Sequence, residues 1–171
     1  MKLSLSILLG LLLTTCNAQV NDLTISQYQQ IKFGNYLLTD IINTRGDAAL
    51  INSYFSQSFT ISTYEEPSHT ILFDSSDINL VFKDGNVDIN NTINNYQLTN
   101  LRLTNNAVSI FINGSNVRVG DNISILGNVN SMNDPSNRQK KIVFRLGSEV
   151  IRISYNRNTN IITLIEYEYF N

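Results

Sequence analysis

The sequence predicts an α+β fold in which an N-terminal helical pair packs on an antiparallel β-sheet. Apolar residues recur at roughly helical spacing between residues 26 and 42, a second helix is expected after Asp47, and β-rich runs fill the chain after Ser56. Four short blocks of similar pattern also recur in the same order, which predicts two degenerate tandem repeats.

The beginning of the chain is typical of a signal peptide. Lys2 supplies one positive charge, and Leu3 to Leu13 is an apolar run shorter than the roughly 20 residues needed to span a bilayer. Cys16-Asn17-Ala18 then places small residues at the two positions that a signal peptidase reads. We therefore expect residues 1–18 to be removed on export, giving a periplasmic or extracellular protein.

The same leader supports a second interpretation. Leu13-Thr14-Thr15-Cys16 resembles a bacterial lipobox, in which the cysteine becomes the acylated first residue. The signal would then be residues 1–15, with Cys16 as the lipidation candidate, and a lipid anchor would hold an outer-membrane lipoprotein. Cys16 is the only cysteine, so under either interpretation the folded part forms no internal disulfide and depends on a hydrophobic core.

Composition narrows the class of partner. Charged residues make up 15% of the chain, below the usual quarter, and the net charge is -2. This charge balance does not predict nucleic-acid binding. The sequence shows no basic amphipathic helix, so it does not predict adsorption to a membrane surface. We expect no transmembrane span in the mature chain, and a partner that is an unknown protein or envelope component.

Two helices are predicted near the N-terminus. The apolar spacing of the first helical region is interrupted by Gly34, which favours a short extended segment at Gln30 to Phe33 and a helix from about Asn35. Asp47 is typical of an N-cap and predicts a second helix from Ala48 to Phe55.

The rest of the chain predicts strands. β-Branched and aromatic runs alternate there with clusters of Asn, Asp, Gly and Ser. The predicted strands are Ser58 to Tyr64, Thr70 to Phe73, Asp77 to Lys83, Tyr96 to Thr104, Ala107 to Asn113, Asn116 to Val119, Lys140 to Leu146, Glu149 to Tyr155 and Asn160 to Phe170. Asp84-Gly85 and Asn156 to Asn160 are predicted hairpin turns.

The tandem repeat is predicted from four matched blocks. Ile31 to Leu37 and Val117 to Ile123 share an apolar, basic, apolar, glycine pattern, with Gly34 and Gly120 as the repeat turn glycines. Three strand-like pairs follow: Ile71 to Phe73 with Ile142 to Phe144, Ile78 to Lys83 with Ile151 to Asn156, and Leu98 to Leu103 with Ile162 to Tyr167. The chain therefore divides into a first α+β repeat at 19–113 and a second, shorter, β-rich repeat at 114–171.

No group of residues predicts catalysis, a cofactor or a metal site. His69 is the only histidine, and a lone loop histidine is usually solvent-exposed. Glu166 and Glu168 share one side of the last predicted strand, but no Asp-rich loop of calcium spacing accompanies them. We expect a protein that is not an enzyme.

Aromatic residues near the C-terminus form a candidate interaction patch, because tyrosine is enriched at protein interfaces. The residues are Tyr155, Tyr167, Tyr169 and Phe170. The alternative interpretation is an ordinary core with tyrosines at its rim.

The matched blocks resemble a known superfamily. The chain is similar to the β-lactamase-inhibitor-like superfamily in several respects. A glycine-containing extended start occurs at Ile31 to Leu37 and again at Val117 to Ile123. A predicted helical pair and antiparallel sheet follow, in an exported chain that is poor in cysteine. That superfamily includes the SmpA/OmlA envelope lipoproteins. The resemblance implies helices packed on a sheet and a role in binding other proteins, which would take place through the exposed sheet.

A second resemblance is to the NTF2-like folds. Arg45-Gly46-Asp47, followed by Ala48-Ala49-Leu50 and by Phe55 to Phe59, is similar to the end of the first helix, the second helix and the first strand of those folds. This resemblance implies a cone-shaped sheet that holds a ligand. The alternative function is therefore an NTF2-like small-molecule binder or enzyme.

Overall fold

The structure, a computed structural model, describes residues 20–65, 69–84, 96–134 and 139–170. Of these described residues, 50% lie in strands and 17% in helices, and the large sheet is mixed. The predicted α+β fold, with an N-terminal helical pair packed on an antiparallel sheet, is therefore wrong. The predicted leader, with Cys16, lies outside the described residues.

Strands dominate the described part of the chain. They are β1 (Val20–Asp22), β2 (Lys32–Phe33), β3 (Tyr36–Leu37), β4 (Thr60–Tyr64), β5 (Thr70–Asp74), β6 (Ile78–Asp84), β7 (Tyr96–Leu103), β8 (Ile110–Ile112), β9 (Ser115–Val117), β10 (Met132–Asp134), β11 (Gln139–Leu146), β12 (Glu149–Asn156) and β13 (Ile162–Tyr169). The described strands form one sheet of nine strands and one of four.

The large sheet has the order β1-β11-β12-β13-β7-β6-β5-β4, and β10 also pairs with β11. Its strand pairs are antiparallel except that β1 runs parallel to β11, which makes the sheet mixed. The parallel strand was not predicted, because three residues are too few to show a period and their partner lies more than a hundred residues away.

The small sheet has the order β3-β2-β8-β9 and is antiparallel. β2 lies within the extended segment predicted at Gln30 to Phe33, whereas β3 stands where a helix was predicted from about Asn35. Gly34 sits in the β2–β3 turn with a φ of 61°, a left-handed conformation that glycine adopts without strain, and the chain therefore turns back into β3. Gly120, the second turn glycine, has a φ of 95°.

The described α-helices are α1 (Ile25–Tyr28), α2 (Leu38–Asn43) and α3 (Ala48–Phe55), and a 3₁₀ helix spans Ile123–Leu126. The bounds and N-cap of α3 are as predicted, since the Asp47 carboxylate accepts hydrogen bonds from the backbone N–H groups of Ala49 (2.8 Å) and Leu50 (3.0 Å). The helices are too short to form the predicted layer, and Ile51 is the one buried side chain of α3. None of the described helices is long and apolar enough to cross a membrane.

The hydrophobic core lies between one face of the large sheet, called here the inner face, and the helices with the small sheet. One cluster joins alternate residues of β6, β7, β11, β12 and β13 to buried residues of α2, α3 and β2. Edge-to-face aromatic contacts link Phe55, Phe59, Phe73 and Phe82, with ring centroids 5.8 to 6.2 Å apart. The core is therefore continuous across the sheet.

The matched strand-like blocks lie in β5, β6 and β7 and in β11, β12 and β13. Each set of three is an antiparallel meander, and the two meanders meet where β7 pairs antiparallel with β13. In the described part of the second half, the 3₁₀ helix stands where α2 follows Gly34 in the first. The division at residue 113 stays a prediction.

Candidate interaction face

Alternation along the strands gives the large sheet a second face, called here the outer face. On β11, Ile142 and Phe144 belong to the core cluster, whereas Val143 between them does not. On β12, Val150 is likewise buried without belonging to that cluster. Among the described residues, the cluster contains no side chain of the outer face, although Ser154 of that face is buried as well.

A row of alternating charge crosses the middle of the outer face. The register sets Arg102 of β7 opposite Glu166 of β13, and Glu166 opposite Arg152 of β12. The Nε atom of Arg102 lies 3.5 Å from Oε1 of Glu166, and Arg152 forms an ion pair with Glu168. Glu166 and Glu168 share one side of the strand as predicted, and each is paired with an arginine.

This row of charges adds little to the stability of the fold but affects how a partner would bind. The four side chains are 23% to 49% exposed, and partly exposed ion pairs contribute on the order of 1 kcal/mol or less to stability. The pairs do, however, hold long side chains in fixed positions. A partner that binds here would therefore lose less side-chain entropy than it would against free arginines.

The predicted aromatic patch does not form one surface. Tyr155 and Tyr167 are buried in the core, and Tyr169 packs against the core from a half-buried position. Phe170 is 47% exposed, and the Arg152 guanidinium carbon lies 5.4 Å from its ring centroid. Of the four residues, Phe170 is thus the one that extends the charged row, through a cation–π contact.

The half of the outer face nearest β4 is uncharged over most of its area. Leu72 of β5 lies opposite Val81 of β6 and opposite Ser62 of β4, and both aliphatic side chains are partly exposed. Tyr64, at the end of β4, is 52% exposed. Asp74 of β5 and Lys83 of β6 also lie on this face. The face therefore combines a mostly uncharged half, with a few aliphatic and aromatic side chains, and a charged middle.

The opposite end of the outer face carries a third ion pair. Asp22 of β1 lies opposite Arg145 of β11, and Oδ1 of Asp22 accepts hydrogen bonds from Nη2 (2.9 Å) and Nε (3.1 Å) of that arginine. Both side chains are about half exposed or more. Within the described residues, no group of three or more His, Cys, Asp or Glu side chains could hold a metal ion.

One titratable group on the inner face was not predicted. Glu149 begins β12 opposite Tyr169, burial raises the pKa of its carboxyl, and its Oε2 atom is buried without a hydrogen-bond partner. Burial also raises the pKa of Tyr167, and the Glu149 charge raises it further. The burial of Glu149 follows from the β12–β13 pairing, which no local pattern shows.

No family model, curated protein or solved structure matches the chain. The functional interpretation therefore depends on the geometry of the outer face.

Proposed function

We propose that the protein is a non-enzymatic binding protein that holds another protein against the outer face of its large sheet. The supporting observation is that the described core cluster contains no side chain of this face, which carries both paired charges and partly exposed aliphatic side chains. Interfaces that form and separate are overall about as polar as the rest of a protein surface, so a face that mixes charged and aliphatic side chains is compatible with one.

The dimensions of the face suit a macromolecule. Seven neighbouring strands, from β4 to β11, spaced about 4.8 Å apart, give a width of roughly 30 Å. Strands of five to eight residues give a length of roughly 20 Å. Such a surface approaches the roughly 800 Å² per partner of a standard protein interface, and it is much larger than a small ligand covers.

The alternating charges of the outer face restrict which partner surfaces can bind to it. Arg102, Glu166 and Arg152 alternate in sign, so a partner surface of one sign would gain no net attraction. A partner whose own charges alternate in the complementary order would be selected, because misplaced like charges are costly across an interface. The row therefore supports specificity more than affinity.

Charge reversal at Arg102 tests the proposal. Arg102 is 49% exposed, so Arg102→Glu leaves the core unchanged while setting two glutamates opposite each other on the outer face. We expect crosslinking and pull-down from native envelopes to recover a reproducible partner with the wild-type protein and to lose it with this variant.

Arg157→Glu is the matched control, since it makes the same charge change at an exposed turn residue outside the outer face. This control should recover the same partner as the wild type. If Arg102→Glu and wild type recovered identical proteins, or if no protein were enriched repeatedly, the proposal would be wrong.

We also propose that the protein is exported, on the basis of its leader sequence. Mass spectrometry of the mature N-terminus distinguishes the two leaders: Gln19 indicates release into the periplasm or medium, and an acylated Cys16 indicates a membrane anchor. An intact N-terminus on all of the protein would contradict export by either route.

The resemblance of the glycine-turn blocks to the β-lactamase-inhibitor-like superfamily is compatible with a binding role and stays a proposal. The NTF2-like alternative needs a ligand cavity within the curve of the sheet. On the inner face, the core side chains pack against helices and the small sheet, and no specific observation favours that alternative.

A further inference from the structure

A second surface lies on the small sheet and centres on Phe111. Ile110 and Ile112 of β8 are buried in the core, so Phe111 between them faces away from it. The register places Lys32 of β2 on one side of Phe111 and Asn116 of β9 on the other. An aromatic ring is therefore flanked by an ammonium group and a carboxamide.

Two clefts meet at this ring. The larger, of about 350 Å³, is lined by Lys32, Gly34, Asn35, Phe111 and Asn116. The smaller, of about 70 Å³, is lined by Gln27, Gln30, Phe111, Ile112, Asn113 and Gly114. The larger cleft is within the lower part of the range of small-molecule sites, and Phe111 is the residue common to both.

The chemistry of the lining is selective. Five lining side chains are carboxamides. The Oε1 atom of Gln27 already accepts hydrogen bonds from the backbone N–H and the hydroxyl of Thr24. The other four can donate and accept hydrogen bonds, as adjacent hydroxyl groups require. Neither lining contains a carboxylate, and none of the described residues forms an ion pair with Lys32. A ligand that is rich in hydroxyl groups and carries a carboxylate near one end of the cleft fits this combination, with Phe111 offering its ring to an apolar sugar face.

We propose that the clefts around Phe111 bind an acidic saccharide, with Lys32 contacting its carboxylate and the carboxamides contacting its hydroxyl groups. This site shares no residue with the outer face of the large sheet. It would therefore persist if the protein-binding proposal failed.

Trigalacturonate and its methyl ester are suitable probes, because they differ in charge and hardly in shape. Titration of the full mature protein, followed by the NMR shifts of backbone amides, should give saturable changes at Lys32, Phe111 and Asn116 with the acid. Phe111→Ala should weaken binding about tenfold, because it removes the stacking surface. Lys32→Gln should reduce affinity for the acid to that for the ester.

Asn116→Asp provides a second variant, at an exposed residue, that keeps Phe111 in place. Its added carboxylate should repel the acid and leave the ester unaffected. Phe170→Ala removes an exposed aromatic ring elsewhere and should change neither affinity. The absence of saturable shifts with both probes, shifts confined to other strands, or equal binding of acid and ester by the wild type would each overturn the proposal.

Discussion

At the scale of single residues, Glu149 shows how a sheet position can work against stability. Its carboxyl group is partly buried beside Tyr167 and Tyr169, and one oxygen lacks a hydrogen-bond partner. Burial without a partner penalises the charged form, which is why the pKa is raised above the ordinary 4.5. Tyr167 beside it has a raised pKa, so it stays uncharged and cannot compensate the charge.

The raised pKa of Glu149 makes the free energy of unfolding depend on pH in a defined direction. With a raised pKa in the folded state, the folded protein holds more protons than the unfolded chain as the pH rises above 4.5. Stability therefore falls through that window, and the loss is complete once the folded-state carboxyl is ionised. We expect Glu149→Gln to be more stable than wild type near pH 7 and equal to it at about pH 3.5.

Urea unfolding at the two pH values measures this difference directly. The corresponding change at a half-buried but paired position, Glu168→Gln, should give no such gain near pH 7, because it removes a favourable ion pair. A Glu149→Gln variant less stable than wild type near pH 7 would show that the carboxylate is better solvated than the structure indicates.

At the scale of elements, the sequence predicts local structure well where one period extends over several residues. The bounds of α3 and the strands β11, β12 and β13 agree with prediction to within about two residues, because Asp47 caps the helix and apolar alternation marks the strands. The first helix was placed too early, since Tyr36 and Leu37 pair with β2 instead of continuing a helix. This local hairpin is in turn paired with the distant strand β8, which no local pattern shows.

β1 was missed altogether, although side-chain hydrogen bonds attach it to distant parts of the chain. The Asn21 amide nitrogen donates to the carbonyl oxygens of Asn130 (3.0 Å) and Val143 (3.1 Å), and its oxygen accepts from the backbone N–H of Asn130 (3.0 Å). One side chain thus joins β1, β11 and the segment before β10. A single asparagine carries no sequence signal for such contacts.

Asn21→Ala should therefore loosen the whole parallel strand. Loss of these hydrogen bonds should cost about 1 to 3 kcal/mol of unfolding free energy. It should also speed hydrogen exchange at the Leu23 amide, which donates to the Arg145 carbonyl oxygen (2.8 Å).

Asp22→Asn, on the same strand, is the control. It weakens an exposed ion pair with Arg145 and should cost less than about 1 kcal/mol. Equal exchange rates at Leu23 in the Asn21→Ala variant and wild type would mean that the Asn21 contacts do not hold β1 in place.

At the scale of the whole molecule, the sequence predicts the ingredients of the candidate site but not its assembly. Alternation correctly sets Glu166 and Glu168 on one side of their strand. Their arginine partners come from β7 and β12, and the β7–β13 pairing joins segments about sixty residues apart. The aromatic patch failed as a single surface because the same alternation that exposes Phe170 buries Tyr155 and Tyr167 in the core.

The β7–β13 pairing also decides how the molecule should unfold. Leu101 lies opposite Tyr167 at this junction, both side chains are buried, and the core cluster extends to both sides of it. Leu101→Ala leaves a cavity and should lower the free energy of unfolding by about 2 to 5 kcal/mol. Ile61 lies on the edge strand β4 and is 43% exposed, so Ile61→Ala should lower it by less than about 1 kcal/mol. Because one core spans both meanders, circular dichroism and tyrosine fluorescence should report a single, coincident urea transition in wild type and in both variants. Two separated transitions in Leu101→Ala would instead mean that residues 19–113 and 114–171 fold as independent units joined only at this strand pair.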